Sequence, residues 1–427
     1  MQRRMVVVEV AGLGAKTCRG AALSGFQWRA ARPVFPALTC PVQATMRTAL
    51  PPARHGMVFN GAFDARLRKV FFWDQSSALV SGSRIWRAFR EQGGTVGMLF
   101  WQQSLGEEIE MILSPAPIHK HHGGMIDTCY CRPSQLYQRL NGAVGRPFRL
   151  RDYWGPTASR RSSEWITAAL EILLRRHDLR TDLIFAYLPH LDYAFQRYGP
   201  AAQRSGEAIG ELAGMLERIR KAAEAAGYDY LFFGDYAFEE VPSGPVLVNH
   251  VLRTAGYFSI RRVGRHTYPD FHAARAFAVT DHQIAHVYVR EKAARKGVAS
   301  LLSGLSGVAQ VLSAEEAFGG NPPNSCGELV AVASKGYWFA YPWWVDPAEA
   351  PDYASHVDIH NKPGYDPCEL FFGRFPWRIS QDPGRVRGSH GRTEGEGLDV
   401  GWTSSADLLG YTLLELAGSL RDWLGRC

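Results

Sequence analysis

Residues 183–192 read LIFAYLPHLD. The first six are apolar or aromatic, and Asp192 lies four positions after the last of them. A short uninterrupted apolar run is typical of a strand that is buried on both faces of a parallel sheet. The pattern recurs at residues 228–235, YDYLFFGD, where Asp235 ends the run, and residues 5–10, MVVVEV, form a third such strand. Functional groups in open α/β sheets collect just beyond the carboxyl ends of the strands. The two carboxylates are therefore candidates for a shared site.

Helical patterns separate these predicted strands. Residues 162–176 and residues 205–226 both carry apolar side chains at helical spacing. Alternating strands and helices favour an α/β fold with a largely parallel central sheet flanked by helices. Short strands and brief helices between 245 and 345 predict a small α+β insertion, or cap. We therefore divide the chain into a first core part, 1–244, the insertion, 245–345, and a C-terminal core part with metal-ligand loops, 346–427.

Composition narrows the class of protein. The 427 residues carry 48 Lys+Arg against 41 Asp+Glu, a net charge of +7, and 46% are hydrophobic, which excludes bulk disorder. We expect no transmembrane segment, because no uncharged apolar run reaches about 18 residues. The N-terminal apolar run is too short for a secretory signal, so we expect a cytoplasmic protein. No basic block is interleaved with aromatics, so we expect no nucleic-acid platform.

Asp192 and Asp235 have two interpretations. Each could cap the helix or turn that follows its strand, a common role of aspartate. Alternatively, both could hold a divalent cation, since carboxylates from separate loops together with imidazoles bind zinc or manganese in hydrolytic sites.

Residues 32–57, RPVFPALTCPVQATMRTALPPARHGM, place a hydroxyl in a Pro-rich loop ahead of a helical segment, where helix N–H groups can hold a phosphate. This stretch resembles the nucleophile segment of the type I phosphodiesterase/nucleotide pyrophosphatase family, within the alkaline phosphatase superfamily, and Thr39 falls on the family's nucleophile. Three further segments match in the family's order: residues 188–200, LPHLDYAFQRYGP, around a metal-binding Asp192, FFGDYAF around Asp235, and RGSHGR around His390.

The resemblance implies an alkaline-phosphatase-like core and a metal-dependent hydrolase of phosphodiester or pyrophosphate bonds. Thr39 would attack phosphorus in a phosphorylated small molecule, assisted by one or two divalent ions, zinc or manganese. The chain departs from the family at three ligand positions, where it has Ala11, Gln196 and Tyr236 instead of Asp, His and His. Gln196 can still offer a carbonyl oxygen to a metal.

Substitute ligands follow later in the chain. Alternation along an extended segment would place His356, Asp358 and His360 on one side, able to converge on one ion. The predicted metal ligands are Asp192, Gln196, Asp235, Asp358, His360 and His390. The predicted substrate contacts are Gln43, Tyr193, Tyr236 and His282.

Two functional hypotheses remain open. The first is the Thr39 hydrolase. The second is a catalytically impaired relative that binds a phosphorylated metabolite or a partner protein, motivated by the residues at positions 11, 196 and 236. Relatives on the same scaffold that act on sulfate esters or phosphonates, or as phosphomutases, cannot be separated by fold alone.

Overall fold

The computed structural model describes residues 3–122 and 124–425, and its largest element is an eight-stranded central sheet. In order across the sheet the strands are Arg29–Ala31, Val400–Ser404, Asp229–Gly234, Met5–Val10, Leu183–Leu188, Val96–Leu99, Met111–Pro115 and Cys129–Arg132. The strands from Asp229–Gly234 to Met111–Pro115 pair in parallel, whereas Val400–Ser404 and Cys129–Arg132 are antiparallel to them. The predicted α/β class with a largely parallel sheet is confirmed.

Helices cover both faces of this sheet. Successive side chains of a strand point to opposite faces. Val6 and Val8 accordingly pack with Arg160–Arg175 and Gln203–Ala226 in one hydrophobic core. On the other face the core is formed with two further helices, Thr39–Thr48 and Leu413–Gly425.

The two predicted helices begin slightly earlier than the pattern indicates. The first runs from Arg160 to Arg175 rather than from 162 to 176. The residue before its first turn is Ser159. The second, Gln203–Ala226, ends at Gly227, whose left-handed backbone (φ +71°) is available to glycine at little steric cost.

A second, four-stranded antiparallel sheet lies within residues 245–345. Its strands, in spatial order, are Ala276–Asp281, Ile284–Val289, Leu329–Ala333 and Val308–Ser313. The helices of this region are Val248–Thr254, Arg295–Ser303 and Ala314–Phe318. The sheet and its helices share a hydrophobic core that includes Val279, Val287 and Leu302.

Shorter elements complete the chain. The remaining strand pairs are Gly61–Asp64 with Lys69–Phe72, Ile118–His119 with Met125–Ile126, Glu239–Glu240 with Gly388–Ser389, Gly244–Val246 with Tyr337–Phe339, and Ile260–Val263 with His266–Pro269. The remaining α-helices are Ala15–Cys18, Pro52–His55, Arg87–Glu91, Leu136–Val144, Leu150–Tyr153 and His190–Tyr198. Across the described residues, no helix is both long and apolar enough to span a bilayer.

Gly234 ends a central strand against the backbone of the first loop. A Cβ atom at this position would lie 2.1 Å from the carbonyl oxygen of Leu13. We expect Gly234→Ala to lower the free energy of unfolding by about 2 kcal/mol or more, because the clash is with backbone. Gly210→Ala is the matched control: its Cβ meets nothing on an exposed helix face, so a gain of about 0.5–1 kcal/mol is expected. Urea unfolding midpoints of the two variants test this difference, and equal midpoints would contradict it.

Candidate active site

The candidate site lies at the carboxyl edge of the central sheet. Val10 pairs with both Leu188 and Gly234, so three neighbouring strands end level with one another. Asp235 follows the last of these strands directly, and Asp192 lies in the first turn of the helix after the second. Both carboxylates are buried. The parallel register thus brings together two residues that are 43 positions apart in the sequence.

Thr39 begins the helix Thr39–Thr48 and faces this edge. Its Oγ1 donates a hydrogen bond to Oδ2 of Asp235 over 3.4 Å. The other oxygen of Asp235, Oδ1, accepts from the backbone N–H groups of Gly12 (3.0 Å) and Tyr236 (2.9 Å). Gly12 has φ +75°, a conformation that glycine adopts without Cβ strain. The backbone therefore holds the Asp235 carboxylate facing the threonine hydroxyl.

Glu9 is a site residue that the sequence analysis missed. It is fully buried in the first strand, and its Oε1 accepts from Gln43 Nε2 over 3.1 Å. Gln43 Oε1 accepts in turn from the backbone N–H of Gln102 at 2.6 Å. Gln43, a predicted substrate contact, is thus fully buried and bonded to protein at both amide atoms. The signal in the sequence was that Glu9 is a lone carboxylate inside the apolar run MVVVEV.

Asp192 is the acceptor at the centre of a closed polar network. Tyr236 donates its hydroxyl to Oδ1 at 3.1 Å, and Gln196 Nε2 donates to Oδ2 at 2.5 Å. The carbonyl oxygen of Gln196 accepts from the hydroxyl of Tyr365 at 2.7 Å. All four side chains are buried. This arrangement gives Asp192 a role beyond capping its own helix.

Four aromatic rings stack beside this network. Tyr236 lies flat on His390, with centroids 3.4 Å apart and planes within 4°. His390 packs on His282 at 3.7 Å, and His282 packs on Tyr365 at 3.8 Å. We call this set the four-ring stack. Because its two outer phenols reach Asp192 and Gln196, the stack and the polar network form one unit.

His390 presents one unused nitrogen to the site. Its Nδ1–H donates to the carbonyl oxygen of Ala37 at 2.9 Å, which leaves the lone pair on Nε2. Nε2 is buried, has no hydrogen-bond partner among the described residues, and lies 4.0 Å from Oδ1 of Asp192. An orphaned imidazole nitrogen facing a carboxylate is a donor pair that fits a divalent cation.

Burial controls the protonation of these groups. It raises the pKa of the Asp192 carboxyl to about 7. Burial, together with the charge of Asp192, also raises the pKa of Asp235. Burial lowers the pKa of His390 to about 3, so its imidazole is neutral at physiological pH. The buried carboxylates gain their negative charge more readily when a cation is present, since an opposite charge favours ionisation.

The donor set fits one ion better than two. Asp192 and the orphaned nitrogen of His390 face each other. Gln196 reaches Asp192 through its Nε2, and its carbonyl oxygen accepts from Tyr365. Asp235 and Thr39 lie at the same carboxyl edge of the central sheet. Ala11 has no donor atom, and the hydroxyl of Tyr236 is already bonded to Asp192. No three His, Cys, Asp or Glu side chains converge as metal ligands anywhere in residues 3–122 and 124–425.

The segment expected to supply substitute ligands folds differently from the prediction. Residues 359–361 form a turn rather than an extended strand, so the predicted alternation does not apply. Asp358 Oδ1 accepts from the backbone N–H groups of His360 and Asn361 at 3.3 and 3.1 Å. His360 Nδ1 donates to the carbonyl oxygen of Phe72 at 3.1 Å, and His356 is exposed. The geometry therefore does not bring Asp358 and His360 into one ligand cluster with His356.

A cavity of about 520 Å³ opens above Thr39. Its polar lining includes Asp192, His282, Asp358 and His360, with Arg151 on the wall. Aromatic side chains supply much of the remaining surface: Trp73, Tyr153, Trp154, Tyr187, Tyr193, Tyr236 and Tyr365. Of the predicted substrate contacts, Tyr193, Tyr236 and His282 line the cavity, and Gln43 does not. Such a cavity is large enough for a small ring-bearing ligand.

Asn60 connects the insertion sheet to the helix of Thr39. Its backbone N–H and Nδ2 donate to the carboxylate of Asp281, at 2.8 and 3.2 Å, and its Oδ1 accepts from the backbone N–H of Cys40 at 2.9 Å. Asp281 is thus a structural acceptor, and His282 beside it enters the four-ring stack. His282 has φ +58°, which is uncommon for a non-glycine residue and is concentrated at functional sites.

A buried ion pair fixes the opposite wall of the cavity. Lys362 Nζ donates to Asp366 Oδ2 at 2.7 Å and to Glu369 Oε1 at 2.6 Å. Glu369 also accepts from the backbone N–H of Asp358 at 2.9 Å and from the indole N–H of Trp154. Removing one partner of such a pair leaves a buried charge uncompensated. The bonds of Glu369, which pairs with Lys362, therefore hold two parts of the cavity wall in place: the backbone at Asp358 and the indole ring of Trp154.

His55 supports the helix Thr39–Thr48 through a side-chain hydrogen bond. Its Nδ1 accepts from the backbone N–H of Met57 at 3.2 Å, so Nε2–H donates to Oγ1 of Thr45 at 3.0 Å. Burial, reinforced by the positive charges of Arg47 and Arg84, lowers the pKa of His55 to about 3. The folded chain thus requires the neutral imidazole.

This requirement predicts a pH dependence of stability. A depressed histidine pKa stabilises the fold above the unfolded value near 6.5, and that stabilisation falls as the pH is lowered toward 3. Between pH 6 and 4 the free energy of unfolding of wild type should therefore fall more steeply than that of His55→Gln, by about 1.4 kcal/mol per pH unit. His272→Gln, at an exposed histidine, is the control and should keep the wild-type slope. Chemical unfolding over this pH range measures the slopes, and parallel slopes for wild type and His55→Gln would refute the assignment.

A sequence model of the family described as type I phosphodiesterase / nucleotide pyrophosphatase matches residues 21–366, well over half of the chain. The human ectonucleotide pyrophosphatase/phosphodiesterase family member 1 is 25% identical over 189 residues, which are 43% of this chain and only 16% of that protein.

Solved structures share the fold over nearly the full chain. Murine ectonucleotide pyrophosphatase/phosphodiesterase 5 superposes with a TM-score of 0.61 at 14% identity, covering 99% of this chain and 95% of that one. Phosphonoacetate hydrolase from Sinorhizobium meliloti 1021, in complex with phosphonoformate, superposes with a TM-score of 0.64 at 16% identity, covering 99% and 96%. Together with the family match over the segment that carries Thr39, Asp192 and Asp235, these results establish that the chain belongs to the type I phosphodiesterase/nucleotide pyrophosphatase family of the alkaline phosphatase superfamily.

Proposed function

We propose that this protein hydrolyses phosphodiester or pyrophosphate bonds with Thr39 as the nucleophile. The observation that carries the proposal is the hydroxyl of Thr39, which lies on the cavity wall at the start of a helix and donates to the Asp235 carboxylate. A nucleophilic hydroxyl needs an adjacent base or cation to activate it. Asp235 is the group in hydrogen-bonding reach, and its orientation is set by two backbone donors.

The chain's own residues account for the proton movements. Thr39 Oγ attacks phosphorus while its proton passes to Oδ2 of Asp235. The bond to the leaving oxygen breaks, and that oxygen keeps the electron pair and takes the proton from Asp235. Water then attacks the phosphothreonine and gives one proton to Asp235, the P–Oγ bond breaks, and Thr39 Oγ takes that proton from Asp235.

We propose that Asp192 and His390 hold a single divalent ion, zinc or manganese, with Asp235 beside it. Gln196, a predicted ligand, is left out of this set, because its Nε2 faces Asp192 and its carbonyl oxygen accepts from Tyr365. When bound, the ion supplies Lewis-acid stabilisation of negative charge on the phosphoryl oxygens. The unpartnered Nε2 of His390, 4.0 Å from Asp192, supports this assignment. The ligand roles predicted for Asp358 and His360 receive no support from their local hydrogen bonds, and we do not include them.

The cavity favours a phosphorylated small molecule with an aromatic or nucleoside group. Tyrosine and tryptophan rings can stack on a base, and Arg151 on the wall can pair with an anionic group. An inactive form of the murine relative is described in complex with AMP, and the bacterial neighbour in complex with phosphonoformate. Those ligands belong to proteins that share the fold, so a substrate panel for this chain includes phosphodiesters, dinucleotides and phosphonates.

We retain the cytoplasm as the proposed location. All six cysteines of the described residues, at positions 18, 40, 129, 131, 326 and 368, are free, which supports a reducing compartment. The expectation that the protein offers no nucleic-acid platform stays a prediction.

Substitution of Thr39 tests the nucleophile directly. With manganese or zinc present, Thr39→Ala is expected to reduce cleavage of bis(p-nitrophenyl) phosphate by about a thousandfold or more, because no other hydroxyl of the described residues is bonded to Asp235. Thr39→Ser keeps a hydroxyl and should retain activity within about tenfold of wild type. Thr48→Ala, at the far end of the same helix, is the matched control and should leave kcat unchanged.

Undiminished turnover in Thr39→Ala would exclude this residue as the nucleophile. A wild-type protein without turnover on the whole substrate panel, but with saturable binding of phosphorylated compounds, would favour the alternative of a catalytically impaired relative.

A further inference from the structure

The segment 370–378, LFFGRFPWR, presents aromatic side chains to solvent, and we call it the aromatic loop. Phe372 and Phe375 are each 48% exposed, and Trp377 is 71% exposed. The rings of Phe375 and Trp377 lie nearly parallel, at 14°, with centroids 5.4 Å apart. Scattered surface hydrophobics are common, but a cluster of large exposed rings marks an interaction surface.

Backbone hydrogen bonds hold the loop in its outward position. Gly373 N–H donates to the carbonyl of Arg378 at 2.8 Å, and Arg378 N–H donates to that of Phe375 at 3.0 Å. At the base, Ser380 N–H donates to the carbonyl of Phe371 at 2.9 Å. The exposure of the rings is thus a consequence of defined local structure.

The loop and the turn that follows are basic. Arg374, Arg378, Arg385 and Arg387 are exposed, and none of them forms an ion pair within the described parts of the chain. Asp382 is the one acidic residue in 370–387, so four arginines against one aspartate give a net charge of +3. The Asp382 carboxylate accepts from the backbone N–H of Gly384 at 2.9 Å and shapes the turn. The exposed rings are therefore surrounded by unpaired positive charge.

We propose that the aromatic loop docks the protein onto a lipid surface that carries anionic headgroups. Tryptophan and other amphipathic rings partition to the membrane interface at the level of the headgroups. Guanidinium groups pair with lipid phosphates in bidentate fashion, and each basic residue near an anionic surface adds to the attraction. The aromatic loop carries both the rings that partition to the membrane interface and the arginines that pair with lipid phosphates.

The size of the surface favours a bilayer over a protein partner. A fully buried aromatic side chain contributes about 150–250 Å², so three partly exposed rings offer on the order of 300–400 Å². A stable protein interface needs about 800 Å² from each partner. Interfacial insertion needs no complementary protein surface, because the lipid adapts to the rings. The inference is independent of the hydrolase proposal, since neither the rings nor the arginines belong to the candidate active site.

Vesicle co-sedimentation of the full chain tests the proposal. Wild type should bind vesicles of phosphatidylglycerol and phosphatidylcholine, and bind vesicles of phosphatidylcholine alone much less. The double variant Phe375→Ser/Trp377→Ser should lose at least about tenfold in partition coefficient. Arg374→Gln/Arg378→Gln should lose about thirtyfold on the anionic vesicles, from about 1 kcal/mol for each arginine, and little on neutral ones. Tyr411→Ala removes an aromatic side chain that is 83% exposed elsewhere, and should bind as wild type does.

Matching thermal midpoints among the variants show that folding is preserved. Wild type that stays in the supernatant with anionic vesicles would overturn the proposal, as would loop variants that sediment like wild type. A dimer in solution that the Phe375→Ser/Trp377→Ser variant dissociates would also overturn it, by assigning the surface to a second copy of this chain.

Discussion

Three buried carboxylates without a basic partner are the constraint on which the site depends. Glu9, Asp192 and Asp235 end or follow neighbouring strands, and none pairs with a Lys or Arg side chain in the described residues. A charge buried without compensation is strongly unfavourable. Neutral donors such as Tyr236 and Gln196 satisfy the carboxylate oxygens, but they do not neutralise the charge. A site built in this way either retains protons or binds a cation.

The surrounding structure limits what else these groups can do. The central sheet supplies Asp235 and the insertion supplies His282, and Asn60 bonds the two parts at the helix that begins with Thr39. On the far side of the cavity, Glu369 accepts hydrogen bonds from the indole of Trp154 and from the backbone N–H of Asp358, and it pairs with Lys362. Thr39 and both walls of the cavity are consequently held by buried polar contacts.

The central strands and the helices between them were predictable because their apolar runs and periodicities are local properties. Thr39, Asp192, Asp235 and His390 were singled out by motif order, and their roles stay predictions. Parallel register explains why Asp192 and Asp235 lie together. The alternation expected for Asp358 and His360 does not hold, because it applies only to extended chain and the segment turns at 359–361. Glu9 was visible as a carboxylate in an apolar run but had no motif to single it out. The bonds of Asn60 to Asp281 and of Trp154 to Glu369 join residues more than two hundred positions apart. The four-ring stack joins residues between 83 and 154 positions apart. No local pattern encodes these contacts.

We propose that one divalent ion lies between Asp192 and His390, beside Thr39. Elemental analysis of the purified protein after equilibration with zinc or manganese and removal of free metal tests it most directly. We predict one ion per chain in wild type and loss of that ion in an Asp192→Ala/His390→Ala variant. A second retained ion in wild type would contradict the one-ion site, and no retained ion, or retention by the variant, would contradict the claim altogether.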